Sequence, residues 1–158
     1  MTRARGLWCA GLFLAVGVAT CVAAQPAALP LTESQKAHLK SDAFQVITSI
    51  RGLPLGVRDS LGALINGQYT DFAEPDTPFR PADPRRRLSL AACAADHHCL
   101  VYYERGGPAH TWHVAVFRWT PDATTLEFGG GAPGRLKTID AVRGAILSGA
   151  VKTAPVSW

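Results

Sequence analysis

The sequence predicts an α+β fold: a single domain over residues 25–158, with an antiparallel sheet of four to five strands flanked by N- and C-terminal helices. Three observations carry this expectation. Residues 86–128 hold four short runs separated by turn signals, and the clearest, Thr111 to Trp119, is rich in β-branched and aromatic residues. Helix-period apolar patterns stand before and after those runs. The 158 residues, 47% hydrophobic, give room for one modest core and contain no internal repeat. That hydrophobic share also excludes wholesale disorder.

The first 24 residues read as a secretory signal peptide: a basic start at Arg3 and Arg5, an apolar run from Leu7 to Val18, and small residues Val22-Ala23-Ala24 before Gln25. Val18-Ala19-Thr20-Cys21 falls short of a lipidation box, because Thr20 is larger than such boxes accept. The expected compartment is the periplasm. Cleavage leaves 14 basic residues against 12 acidic ones, a net charge of +2. That is not the balance of a nucleic-acid binder. No later stretch reaches the roughly 20 apolar residues of a membrane span.

After a loose lead-in at 25–31, Thr32 and Gln35 form a capping-box pattern. Leu39, Ala43, Val46, Ile47 and Ile50 recur at helical spacing, so one helix is expected over 33–50, stopped by Gly52 and Pro54. A weaker helical stretch covers Arg58 to Ile65. Four prolines between 68 and 84 mark a long surface loop. The strands follow at 86–93, 100–105, 111–119 and 124–128, with turns at Gly106-Gly107-Pro108 and Pro121-Asp122. Gly129 to Gly134 reads as a glycine-rich break. Thr138 caps a last helix, ended by Gly149.

The mature chain keeps two cysteines, Cys93 and Cys99, with five residues between them. Export permits a bridge, which closes a small loop and stabilises the fold by roughly 2–3 kcal/mol. Cys93, His97, His98 and Cys99 are also zinc-type donors. Three adjacent donors do not converge on one ion, and oxidised sulfurs are not ligands, so no metal or cofactor is expected. Enzymatic signatures are lacking. Ser89 lies in a strand outside any nucleophile elbow, and the acidic residues form no acid–base pair at a readable spacing. Gly129-Gly130-Gly131 lacks the lysine of a phosphate loop. His113 alternates with Ala115 and Phe117 and is expected in the core or half-buried; His110, at a turn, is expected in solvent.

Ala92-Cys93-Ala94-Ala95-Asp96-His97-His98-Cys99 resembles the disulfide-closed Cys-Lys-Pro-His-Asp-Cys loop of the Ivy family, periplasmic inhibitors of vertebrate (c-type) lysozyme. Counted back from the second cysteine, the family histidine falls on His97. Ala43-Phe44, Leu53-Pro54 and Val57 repeat a family-like spacing. Ala145 to Val151 resembles the family's last helix and its glycine stop, and Trp158 its aromatic tail. This chain departs from the family by one extra loop residue, by Ala-Ala-Asp in place of Lys-Pro, and by His98 where the family has Asp.

The resemblance implies a non-enzymatic inhibitor whose 93–99 loop enters the lysozyme cleft, with His97 at its centre and Asp96 and His98 as flanking contacts. The partner it implies is c-type lysozyme; a second copy of the chain is a further candidate. A +2 protein gains no electrostatic steering toward a basic enzyme, which keeps open a periplasmic binding module without lysozyme affinity. A small exported metal-binding protein is the third alternative.

Overall fold

The computed structural model describes residues 30–62, 64–65, 85–107 and 109–154. The expected signal peptide, the proline-rich stretch at 68–84 and Trp158 lie outside the described residues. Four long strands form the expected meander: β3 (Arg86–Ala94), β4 (His98–Arg105), β5 (Thr111–Trp119) and β6 (Thr124–Ala132). Consecutive strands pair antiparallel throughout.

Short strands extend the meander at both edges. β1 (Phe44–Ile47) pairs antiparallel with residues 91–94 of β3, and β7 (Lys152–Thr153) with Gly130 and Gly131 of β6. The antiparallel order is β1-β3-β4-β5-β6-β7, and β2 (Leu64–Ile65) adds a parallel pairing to the start of β3. The sheet therefore exceeds the four to five strands expected. The added strands are two to four residues long, too short to carry a periodic signal.

The helix expected over 33–50 is divided. α1 covers Glu33–Ser41 and ends where Asp42 turns extended, at φ −69° and ψ 140°. Phe44 to Ile47 then form β1, and Ile50–Gly52 a 3₁₀ turn. The apolar spacing there fits a helix, but β3 would otherwise present an open edge of unpaired backbone groups. Pairing with that edge overrides the local period. The Thr32–Gln35 capping box forms as expected, with each side chain bonded to the other's backbone N–H. The second helix, α2 (Leu55–Leu61), starts earlier than expected and stops at Gly62, whose φ is +57°.

β6 also runs through the expected glycine break as far as Ala132. Its glycines permit a close approach: a side-chain carbon on Gly130 would collide with the carbonyl of Lys152 in β7. α3 (Ile139–Leu147) begins at Thr138, whose hydroxyl accepts from the N–H of Ala141 at 3.1 Å.

Alternation along the strands sends residues to two buried faces. Ala92, Leu100, Tyr102, Val114, Val116 and Phe128 pack beneath Leu39 of α1 and Val142 and Ile146 of α3. Ala91, Val101, Tyr103, Ala115 and Phe117 pack against Val57 and Leu61 of α2 on the opposite face. The result is three layers, α1/α3, sheet and α2, rather than a sheet covered on one side. Buried Tyr102 fixes the β6–α3 connection: its hydroxyl donates to Gly134 O at 2.7 Å and accepts from Leu136 N at 2.9 Å.

Candidate functional site

The β3–β4 hairpin carries the sequence-predicted residues. Cys93 and Cys99 stand directly opposite each other, with Cα atoms 4.1 Å apart, and their sulfurs are bonded. The cysteines are therefore not metal ligands here. Ala95, Asp96 and His97 make the turn, closed by a hydrogen bond from His97 N to Ala94 O at 3.2 Å. His97 has φ +73°, and it is the one non-glycine residue with positive φ among those described. A left-handed third residue is what a three-residue hairpin loop requires. Histidine there is uncommon, since only a few per cent of non-glycine residues adopt φ > 0.

Ala95, Asp96 and His97 are exposed. The turn is short and seated against the end of β5. Trp119 N donates to His97 O at 2.9 Å, and the His97 ring meets the Trp119 ring edge-on, with centroids 4.9 Å apart. Beside it, Trp119, Cys93 and the segment Gly52–Gly56 line a groove of about 400 Å³. Leu55 in that wall is 62% exposed.

His98 goes the other way. It shares a sheet face with Leu100 and Tyr102, so its ring turns under α1 and is only 5% exposed. Its Nδ1 lies 2.9 Å from Asp96 Oδ2 and 3.5 Å from Asp42 Oδ2. His38 of α1 completes the group. Its Nδ1 lies 3.0 Å from Asp96 Oδ2 and 3.6 Å from Asp42 Oδ1, and the two imidazole rings sit 4.6 Å apart. The remaining nitrogen of His98, Nε2, faces Glu127 Oε2 at 3.5 Å. Glu127 occupies a β-bulge in β6, where the register against Val116 and Phe117 shifts. Bulges re-aim side chains in this way.

Two carboxyls this close do not ionise alike. Burial, then the neighbouring Asp96, raises the pKa of Asp42. Burial also pushes Asp96 upward, but hydrogen bonds from Asp42 and His98 outweigh it and hold Asp96 well below the ordinary value. Of the two, Asp42 is therefore the carboxyl more readily protonated. Even so, Asp42 Oδ2 and Glu127 Oε2 are buried without a hydrogen-bond partner.

The other candidates are distributed elsewhere. His113 is half-buried as expected, stacked on Tyr103 at 5.3 Å, and burial lowers its pKa. His110 is not free in solvent: its Nε2 lies 2.9 Å from Glu104 Oε2, and it stacks on Trp112 at 4.5 Å. Ser89 is exposed at a register shift in β3. His38, Asp42 and Glu127 were not assigned roles from the sequence. The usable signal was the pair of short motifs His38-x-x-x-Asp42 and Asp96-x-His98, each bringing two ligand-type side chains close together.

Comparison with protein families, curated proteins and solved structures finds no match for this chain.

Proposed function

We propose that this protein is an exported, non-enzymatic inhibitor of c-type lysozyme, and that the disulfide-closed turn is its inhibitory element. The observation that carries the proposal is the opposed orientation of the two histidines. His97 is exposed on a covalently closed turn, its ring edge-on to Trp119, while His98 is buried behind it. The Ivy-like pattern of the same segment names the target class.

The chemistry fits a carboxyl-lined cleft. Such a cleft pairs one protonated and one ionised carboxyl group. An imidazole has one donor and one acceptor nitrogen and can meet both. The turn is fixed three times over, by the disulfide, by Trp119 N on the His97 carbonyl and by the ring contact to Trp119. A preordered element loses little entropy on insertion. Asp96 flanks His97 at the surface, whereas His98 acts from beneath as support. The apolar groove along Trp119 and Leu55 offers a second contact area for the rim of the enzyme.

Inhibition of a c-type lysozyme by the purified oxidised protein tests the proposal. His97→Ala alone is ambiguous, because alanine is strained at φ +73°. His97→Gly removes the ring and keeps the turn. It should weaken inhibition about 10–150-fold, the equivalent of a lost hydrogen bond to a charged group worth about 1.5–3 kcal/mol. Inhibition unchanged in His97→Gly would refute the mechanism, and no inhibition by the wild type would refute the function.

A further inference from the structure

We infer that His38, Asp42, Asp96 and His98 form a binding site for a divalent transition-metal ion of the zinc class, joining α1 to the β3–β4 turn. This inference does not depend on lysozyme binding.

Geometry is the first support. One ligand atom from each of the four residues can be chosen so that all lie within 4.8 Å of one another. A tetrahedral ion with bonds of about 2.0–2.1 Å needs ligand–ligand separations of about 3.3 Å. The nitrogen–oxygen distances in the cluster are 2.9, 3.0, 3.5 and 3.6 Å. These distances draw on both oxygens of Asp42, and the widest separation, up to 4.8 Å, closes by side-chain rotation when an ion binds.

The donor set gives the class. Two imidazoles and two carboxylates suit zinc and its first-row neighbours, whereas calcium and magnesium take oxygen donors. Two ionised aspartates balance the charge of a divalent ion, leaving no net charge in a largely buried place. His38 and Asp96 are the more exposed members and provide the entry side; Asp42 and His98 form the closed inner wall.

The surrounding shell is the second, independent support. Ligating histidines commonly direct their other ring nitrogen to a carboxylate, which fixes the tautomer. His98 does so: Nδ1 faces the cluster and Nε2 faces Glu127. The Glu127 side chain is nine-tenths buried, and its Oε2 has no hydrogen-bond partner. Asp42 Oδ2, also buried and without a hydrogen-bond partner, lies 3.5 Å from His98 Nδ1 on the cluster side. An ion at its centre supplies what Asp42 lacks and makes the His98 Nε2–H a firm donor to Glu127.

The test is titration of metal-free, oxidised protein with zinc chloride by calorimetry, with cobalt(II) absorption as an independent readout of tetrahedral coordination. One zinc per chain is expected, together with a rise in melting temperature. His38→Gln removes the most exposed ligand, so the variant folds and should bind at least 10-fold more weakly. Glu127→Gln removes no ligand and should weaken binding about 10–100-fold. Calcium should leave the melting temperature unchanged. Absence of stoichiometric zinc binding by folded wild type would overturn the inference. So would binding unaffected by His38→Gln, or an equal response to calcium.

Discussion

Arg143 is the side chain on which the placement of α1, and with it His38 and Asp42, most depends. α1 is nine residues long and buries Leu39 alone. A helix this short is not stable by itself. From α3, Arg143 Nε donates to Leu39 O at 2.6 Å and Nη2 to Lys40 O at 2.8 Å, while the guanidinium lies 5.2 Å from the Phe44 ring centroid. It thus caps the last turn of α1, where free carbonyls and the negative end of the helix dipole favour a cation. Arg143→Met keeps the aliphatic stem and removes both bonds to α1, together with a surface pair from Nη1 to Asp140 Oδ1 at 3.2 Å that adds little. Bonds to a charged group contribute about 1.5–3 kcal/mol each, and the exposed one lies at or below the low end, so the expected loss is about 2–4 kcal/mol. For a domain of roughly 130 residues, unfolding entropy near 2.1 cal/mol/K per residue converts this to a fall of about 7–15 °C in melting temperature. Arg143→Lys should recover only part of it, since an ammonium does not reproduce the two-pronged geometry. Hydrogen exchange adds location: amides of α1 should lose protection before those of β4 and β5. A loss in Arg143→Met below about 0.5 kcal/mol, or uniform loss of protection, would show that α1 is held by something else.

Two further outcomes follow from the same structure. The Cys93–Cys99 bridge closes a seven-residue ring, so the Cys93→Ala/Cys99→Ala double variant should lose about 2.4 kcal/mol in urea unfolding by the chain-entropy relation; a loss under about 1 kcal/mol would mean that the turn is ordered without it. Glu104 is nearly buried and, although burial raises its pKa, hydrogen bonds from Arg87 at 2.6 Å and His110 at 2.9 Å outweigh that and hold it below the ordinary value. A carboxyl depressed in the folded state contributes stability above its unfolded pKa, about 4.3, and loses it as pH falls through the lower folded value. Unfolding midpoints should therefore drop with acidification in this window, and Glu104→Gln should flatten the slope; an unchanged slope would exclude Glu104 as a source.

What was legible in the sequence follows the length of each element. β5 was readable to the residue, because nine residues rich in β-branched and aromatic side chains between turn signals leave one solution. The capping box at Thr32 and the α3 cap at Thr138 were readable because capping is local chemistry. β1 was not: Val46 and Ile47 satisfy helical spacing as well as strand pairing, and the deciding factor, the open edge of β3, lies more than 40 residues along the chain. Glycines 129–131 suggested an interruption, whereas the missing side chain of Gly130 is what lets β7 approach β6. The disulfide was legible from the cysteine spacing together with the expected export. The His–Asp cluster was not, since it draws on α1, the β3–β4 turn and a bulge in β6, elements that adjoin only in the folded chain.

The hairpin divides its two histidines by backbone geometry alone. His98 is the first residue of β4, and strand alternation commits it to the face shared with Leu100 and Tyr102. His97 is the left-handed turn residue, whose positive φ directs its ring toward Trp119 at the sheet's end. Moving the turn by one residue would exchange the two and bury the exposed imidazole. The disulfide prevents that shift, because Cys93 and Cys99 bond only in the register that opposes them. Asp96 stands between the two faces. Its backbone belongs to the exposed turn, while its carboxylate touches His38 and His98. An ion bound beneath would draw that carboxylate inward and fix the turn from below, and a protein docked on His97 would press on the same residue from outside. Asp96 is thus the one residue that belongs both to the inner cluster and to the exposed turn.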